Sequence, residues 1–214
     1  MGKAYEVDTR LRPDGSSGVL AVSVESFREY QMKRAWTWEH QALLRARPVC
    51  GDKNISEEFE EIRYEVLTKQ RDPKKLFKEV WDMRQKLISQ LSRKVAGLFH
   101  LKNDPGGLID IEFIIQFLTL LHASSYPELI KWRAHLHFLN ELERLGLINK
   151  DDASLLKTAY IEMRYTMHRL SLQEEKPLVK EVRFKEMREK VLNIWERLSK
   201  DFLSTNDSDK DQVR

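Results

Sequence analysis

The sequence predicts a mainly-α protein, a helical bundle preceded by a short α+β segment of two or three strands and a helix. Three observations carry that reading. Apolar residues recur every three or four positions through residues 53–203, which is the period of helices burying one stripe. Strand-like alternation is confined to the first fifty residues, too little for a sheet with its own core. One segment, LIDIEFIIQFLTLLHA from Leu108, is apolar nearly all round and suits the buried centre of a bundle.

In chain order, Tyr5–Leu11 alternates as a strand, PDGSSG follows as a turn, and Val19–Val22 reads as a second strand. Ser23 is placed to N-cap a helix containing Phe27, Tyr30, Trp36, Trp38 and Leu43, broken once near Ala35. Ala46–Cys50 is a third strand candidate before a Gly-Asp turn. Helical stripes then follow: Leu76, Val80, Met83, Leu87 and Leu91, with Lys and Arg on the other faces; Leu129, Trp132, Leu136, Leu139 and Leu142, ending at Gly146 as a C-cap; Leu155, Leu156, Ala159, Met163 and Met167; and Met187, Val191, Ile194, Trp195 and Leu198. The expected organisation is residues 1–52, a bundle over 53–203 joined by short loops, and a polar tail over 204–214.

The chain has 214 residues, 41% hydrophobic and 33% charged, enough apolar content for a real core. Its 37 Lys and Arg against 34 Asp and Glu leave a formal charge of only +3, which gives no basic stripe for nucleic acid. No apolar run reaches the roughly 18 residues that span a bilayer, and a single cysteine, Cys50, excludes an intrachain disulfide framework. The expected setting is a reducing cytoplasm, without nucleic-acid or membrane partners.

Two places could carry chemistry. On a strand over Tyr5–Leu11 one face holds Tyr5, Val7, Thr9 and Leu11, and the other holds Glu6, Asp8, Arg10 and Arg12. The charged row is either a solvated edge or a metal-binding carboxylate beside two guanidiniums for phosphate oxygens. The second place is the apolar helix, where Glu112, Gln116 and Thr119 line up at i, i+4 and i+7. A buried carboxylate there needs a cation, a hydrogen-bond network or a wet cleft. Just upstream, NDPGG places Gly106 and Gly107 where backbone amides can approach something at the helix mouth.

Other features give less. Trp36 and Trp38 fit core or interdomain packing better than a base-stacking platform. Arg45 and Arg47 suit either phosphate or local acids. His135 and His137, two apart on a helix, point away from one another, and no other histidine pair has metal-ligand spacing.

Four blocks together, YEVDTRLRPDGSSG, ESFREYQMKRAWTWEHQALLRARPVCGD, DPGGLIDIEFIIQFLTL and MHRLSLQE, closely resemble glutamate-ammonia-ligase adenylyltransferase, in order from about Tyr5 to Leu198. The resemblance implies that residues 1–52 are the end of a nucleotidyltransferase domain and that the bundle follows it. AWTWEHQALLRAR looks like the C-terminal, adenylyl-attaching half and argues against the closely similar uridylyltransferase of the PII system. It further implies Mg2+ and ATP as cofactors, with glutamine synthetase, a PII signalling protein and the N-terminal remainder of the same enzyme as partners. Asp8 matches the third metal-binding carboxylate of the family, and Arg10 and Arg12 phosphate or transition-state ligands. Glu112 would face the cleft, with Gly106 and Gly107 near substrate. No Asp-x-Asp pair precedes Asp8, where the resemblance would put the other two metal ligands; the Asp-x-Asp spacings of Asp207, Asp209 and Asp211 lie in the polar tail. The chain therefore reads as a C-terminal piece beginning inside the catalytic domain, inactive by itself. A contrasting reading makes it a non-catalytic interaction module, which would show an exposed apolar patch on the bundle.

Overall fold

A computed structural model of the chain describes residues 13–92, 95–131 and 134–203. Asp8, Arg10, Arg12 and the strand expected over Tyr5–Leu11 lie outside them. The described residues form eight α-helices: α1 Val24–Lys33, α2 Thr37–Leu43, α3 Lys53–Thr68, α4 Pro73–Leu91, α5 Leu108–His122, α6 His135–Arg144, α7 Lys150–Leu172 and α8 Lys185–Leu203. Two three-residue strands, β1 Leu98–His100 and β2 Leu178–Lys180, pair antiparallel with Phe99 opposite Val179. The protein is mainly α.

Helix ends follow local chemistry. The Ser23 hydroxyl accepts from the Ser26 amide at 3.2 Å at the start of α1. Asp52 accepts from the amides of Asn54 and Ile55 ahead of α3, and Asp72 does the same for Lys75 ahead of α4, where Pro73 occupies the first turn. After α6, Gly146 sits at φ 69°, its amide bonds the Glu143 carbonyl, and the Leu147 amide reaches back to Leu142. That is the two-bond closure in which a left-handed residue ends a helix. The break near Ala35 also stands, since α1 ends at Lys33 and α2 begins at Thr37.

α5 is the centre. It packs against α2, α4, α6, α7 and α8, and Ile111, Ile114, Ile115, Phe117 and Leu120 are fully buried on it. On one side an aromatic cluster joins α4, α5 and α8: Phe77 meets Phe117 edge-on at 5.2 Å, and Trp81 meets Trp195 at 5.7 Å. α2 enters the same core through Leu43 and Leu44. Arg63 on α3 is buried because its guanidinium donates to the carbonyls of Leu43 and Leu44, satisfying the end of α2.

Several expectations are corrected. Val19–Val22 is not a strand but exposed irregular chain, and Ala46–Cys50 is likewise irregular. Among the described residues the strands lie after residue 52 instead, each too short to show a period. The stripe on α4 is buried only as far as Val80, with Leu91 43% exposed, while Arg84, placed by its charge on the outer face, is inside. The stripe from Leu129 is not one helix: Pro127–Lys131 is a 3-10 turn and α6 starts afresh at His135. Trp36 is not core packing, being 71% exposed.

Candidate functional site

The buried face of α5 carries its polar groups in two clusters. At its N-terminus, Asp110 receives both arms of the Arg84 guanidinium at 2.7 Å, and the pair is nearly fully buried. Arg84 lies between the faces of Trp81 and Trp195, at 5.1 and 4.8 Å. The second oxygen of Asp110 also accepts from the Gly106 amide at 2.7 Å, and the Gly107 amide donates to the Asp104 carbonyl at 2.9 Å. Both glycine amides are thus bonded inside the chain. Their bare α-carbons serve close approach: a Cβ on Gly106 would stand 2.8 Å from the Arg188 Cβ, and one on Gly107 would stand 2.8 Å from the Leu101 carbonyl.

The second cluster contains Glu112. A chain of hydrogen bonds runs to it from α2 through α5, α6 and α7. Gln41 Nε2 donates to Gln116 Oε1 at 3.0 Å, and Gln116 Nε2 meets His135 Nε2 at 3.2 Å. An amide nitrogen can only donate, so His135 Nε2 accepts and its proton sits on Nδ1. That nitrogen donates to the Tyr160 oxygen at 3.1 Å, and the Tyr160 hydroxyl donates to Glu112 Oε1 at 3.4 Å. Arg164 adds a second donor to the Tyr160 oxygen at 3.1 Å. Every link points toward the carboxylate, so the chain has one direction.

Electrostatics agree with that direction. Burial, followed by repulsion from Arg45 and Arg164, pulls His135 down to about 3, so it is neutral at pH 7 as the bonds require. Burial and then the Glu112 charge push the Tyr160 hydroxyl up, which keeps it protonated as a donor. Burial raises Glu112 above the usual carboxylate range, opposed by Arg45, Lys102, the Tyr160 bond and Arg164. Three cations from three segments therefore surround one half-buried acid. Thr119, the third residue of the expected line, turns instead to its own helix and donates to the Ile115 carbonyl at 2.8 Å.

Glu112 and Gln116 thus share the network, while Gly106 and Gly107 belong to the Asp110 cluster. Sequence reading missed Tyr160, Asp110 and Arg84, and treated His135 only as a poor metal ligand. The i, i+4 spacing of Tyr160 and Arg164, both facing the core side of α7, was the available signal. Among the described residues no three His, Cys, Asp or Glu side chains converge as a metal centre. No helix of the described residues is long and apolar enough to cross a membrane.

The fold and site are thus those of a mainly-α bundle whose central helix is tied to α2, α6 and α7 by a directed polar chain, following a segment with the AWTWEHQALLRAR block. Residues 1–62 match the family of glutamate-ammonia ligase adenylyltransferase, and residues 81–189 match the family of GlnD PII-uridylyltransferase. The chain is 46% identical over 197 residues to the bifunctional glutamine synthetase adenylyltransferase/adenylyl-removing enzyme of Thioalkalivibrio sulfidiphilus, covering 92% of this chain and 20% of that protein. It is 44% identical over 200 residues to the enzyme of the same name from Nitrosococcus oceani, covering 94% and 21%, and 39% identical over 201 residues to that of Acinetobacter baylyi, covering 92% and 22%. The chain belongs to the glutamate-ammonia ligase adenylyltransferase family. It spans about a fifth of the length of the curated relatives it matches.

Proposed function

We propose that this chain is the C-terminal part of an enzyme that transfers AMP from ATP to a tyrosine of glutamine synthetase. The observation that carries the reading is the 46% identity to a glutamine synthetase adenylyltransferase over nearly the whole chain, with the AWTWEHQALLRAR block inside the adenylyltransferase match. In this reading Asp8 is one metal-binding carboxylate, and Arg10 and Arg12 hold phosphate oxygens. Magnesium, when bound by Asp8 and carboxylates supplied elsewhere, would neutralise the triphosphate. In this reading the bundle contributes Glu112 to the cleft: it accepts from Tyr160, which His135 holds in turn, and Arg45, Lys102 and Arg164 favour its charge and would attract an anionic substrate. A PII signalling protein and the N-terminal remainder of the enzyme are its other partners, in the cytoplasm.

With one of three metal ligands in its sequence, the chain alone transfers little AMP. Incubation with radiolabelled ATP, magnesium and unmodified glutamine synthetase tests this, and label transfer well above a no-enzyme control would overturn it.

A second reading, a docking module without catalytic work, is favoured by one observation. Ile161, Tyr165 and Leu172 stand on one side of α7 at 52, 61 and 87% exposure, an apolar stripe facing solvent. Under that reading Tyr165→Glu abolishes binding of the chain to glutamine synthetase or PII, whereas Glu112→Gln in the intact enzyme leaves turnover unchanged.

A further inference from the structure

A cavity of about 480 Å3, within the range of small-molecule sites, opens between the α1–α2 break and the α3–α4 turn. No member of the Glu112 chain lines it. Its walls carry Arg34, Lys69, Arg71 and Lys75 against two carboxylates, and both carboxylates are engaged: Asp72 caps α4 and Glu79 accepts from the Thr37 hydroxyl. Among the described residues no carboxylate lies within ion-pair distance of Lys69, Arg71 or Lys75, and Arg34 pairs with Asp14 at 3.5 Å.

Arg71 is held by neutral acceptors. Its guanidinium donates to His40 Nδ1 at 3.2 Å and to the Val66 carbonyl at 2.9 Å, and its Nε has no acceptor. His40 can accept because its other nitrogen donates to the Gln31 carbonyl at 3.0 Å and because burial pulls it down to about 4. The arrangement fixes a cation in place with no carboxylate in direct contact, Glu79 acting on it only from a distance. Burial, with repulsion from Arg71, lowers Lys69, and burial lowers Arg71 to about 10, in both cases against the attraction of Glu79. Unpaired cations in a half-buried hollow cost stability until an anion arrives. At the rim, Trp36 is 71% exposed, an indole that packs on nothing in the core and offers a face for stacking.

We propose that this cavity binds a nucleoside phosphate, its phosphates on Lys69, Arg71 and Lys75 and its base stacked on Trp36. The site is built without Asp8 or Glu112, so it goes beyond adenylyl transfer and marks a place where a nucleotide acts as ligand rather than substrate.

The test is calorimetric titration of ADP, and separately of pyrophosphate, into the 214-residue chain in EDTA, where metal-dependent binding at Asp8 is silent. ADP binding is expected to weaken about tenfold in Lys69→Gln/Lys75→Gln and in Trp36→Ala, and to recover in Trp36→Phe. Pyrophosphate is expected to bind more weakly than ADP and to ignore Trp36→Ala. Melting by circular dichroism confirms folding, and Trp36 and Lys75 are exposed enough to change without cost. Absence of ADP binding, ADP binding unchanged in the double variant, or ADP binding indifferent to Trp36→Ala would each overturn the proposal. None of these outcomes bears on label transfer to glutamine synthetase.

Discussion

Arg84 on α4 and Asp110 on α5 are joined by two parallel bonds of 2.7 Å in the interior, with side-chain exposures of 5 and 2%. Removing one partner strands the other charge away from water. Asp110→Asn is therefore expected to destabilise the fold by about 3–5 kcal/mol, read as the shift in a urea unfolding midpoint. Arg84→Met with Asp110→Leu should cost much less, because both charges leave together. Equal losses in the single and double variants would show that the pair does not act as a unit.

The Glu112 chain gives a prediction about turnover rather than stability. Burial raises this carboxylate, so its charged form is disfavoured in the folded state and weighs on stability at neutral pH. Glu112→Gln should leave the melting temperature unchanged or higher while lowering turnover of the intact enzyme. Tyr160→Phe removes the donor to Glu112 and should lower turnover in the same direction, more mildly. A fall in melting temperature for Glu112→Gln with turnover intact would place the group in the scaffold.

Acid should weaken the fold through its buried histidines, His40 and His135 more than the half-buried His122. His40 and His135 are buried and neutral, titrating at about 4 and about 3 against the ordinary 6.5. Above 6.5 neither state holds the extra proton, so they add no pH dependence. As pH falls below 6.5, the unfolded chain takes up protons that the folded chain refuses, and stability drops on the order of 1.4 kcal/mol per pH unit for each. Urea midpoints measured from about pH 7 to about pH 5 should fall, Glu112 opposing the fall, and His135→Gln should make that slope shallower.

Two glycines separate backbone strain from crowding. Gly106 and Gly146 are both left-handed, at φ 81° and 69°, but a Cβ on Gly146 meets nothing within 4 Å. Gly146→Ala should cost about 1–2 kcal/mol from conformation alone. Gly106→Ala should cost roughly 1–3 kcal/mol more, since Arg188 backbone and side chain block the added carbon. Thermal melts of the two variants distinguish these contributions.

Much of this was legible in the sequence where the determinant is local. Ser23 as a cap, the break near Ala35, Gly146 as a stop and α5 as the centre all follow from neighbouring residues. Glu112 and Gln116 were identified by spacing alone, because a polar line on an otherwise apolar helix must be satisfied somewhere. What satisfies it was not legible: Gln41, His135 and Tyr160 come from three other helices, and no sequence period connects them. Arg84 was misplaced for a related reason. Amphipathic patterning sends arginine outward, and only the tertiary meeting with Asp110 and two tryptophans makes its burial affordable. The β1–β2 ribbon has three residues per strand, below the length at which alternation can be told from chance. Asp8, Arg10 and Arg12 lie outside the described residues, and their roles rest on the family resemblance.

The Trp195 ring that covers Arg84 also has a consequence for biosynthesis. Arg84 and Asp110 leave the ribosome well before α8, so the two charges can find each other early but remain wet on that side until α8 emerges and lays its indole across them. Completion of the hydrophobic interior thereby waits for the synthesis of α8, and nascent chains stalled short of Trp195 should remain soft, protease-sensitive targets for chaperones.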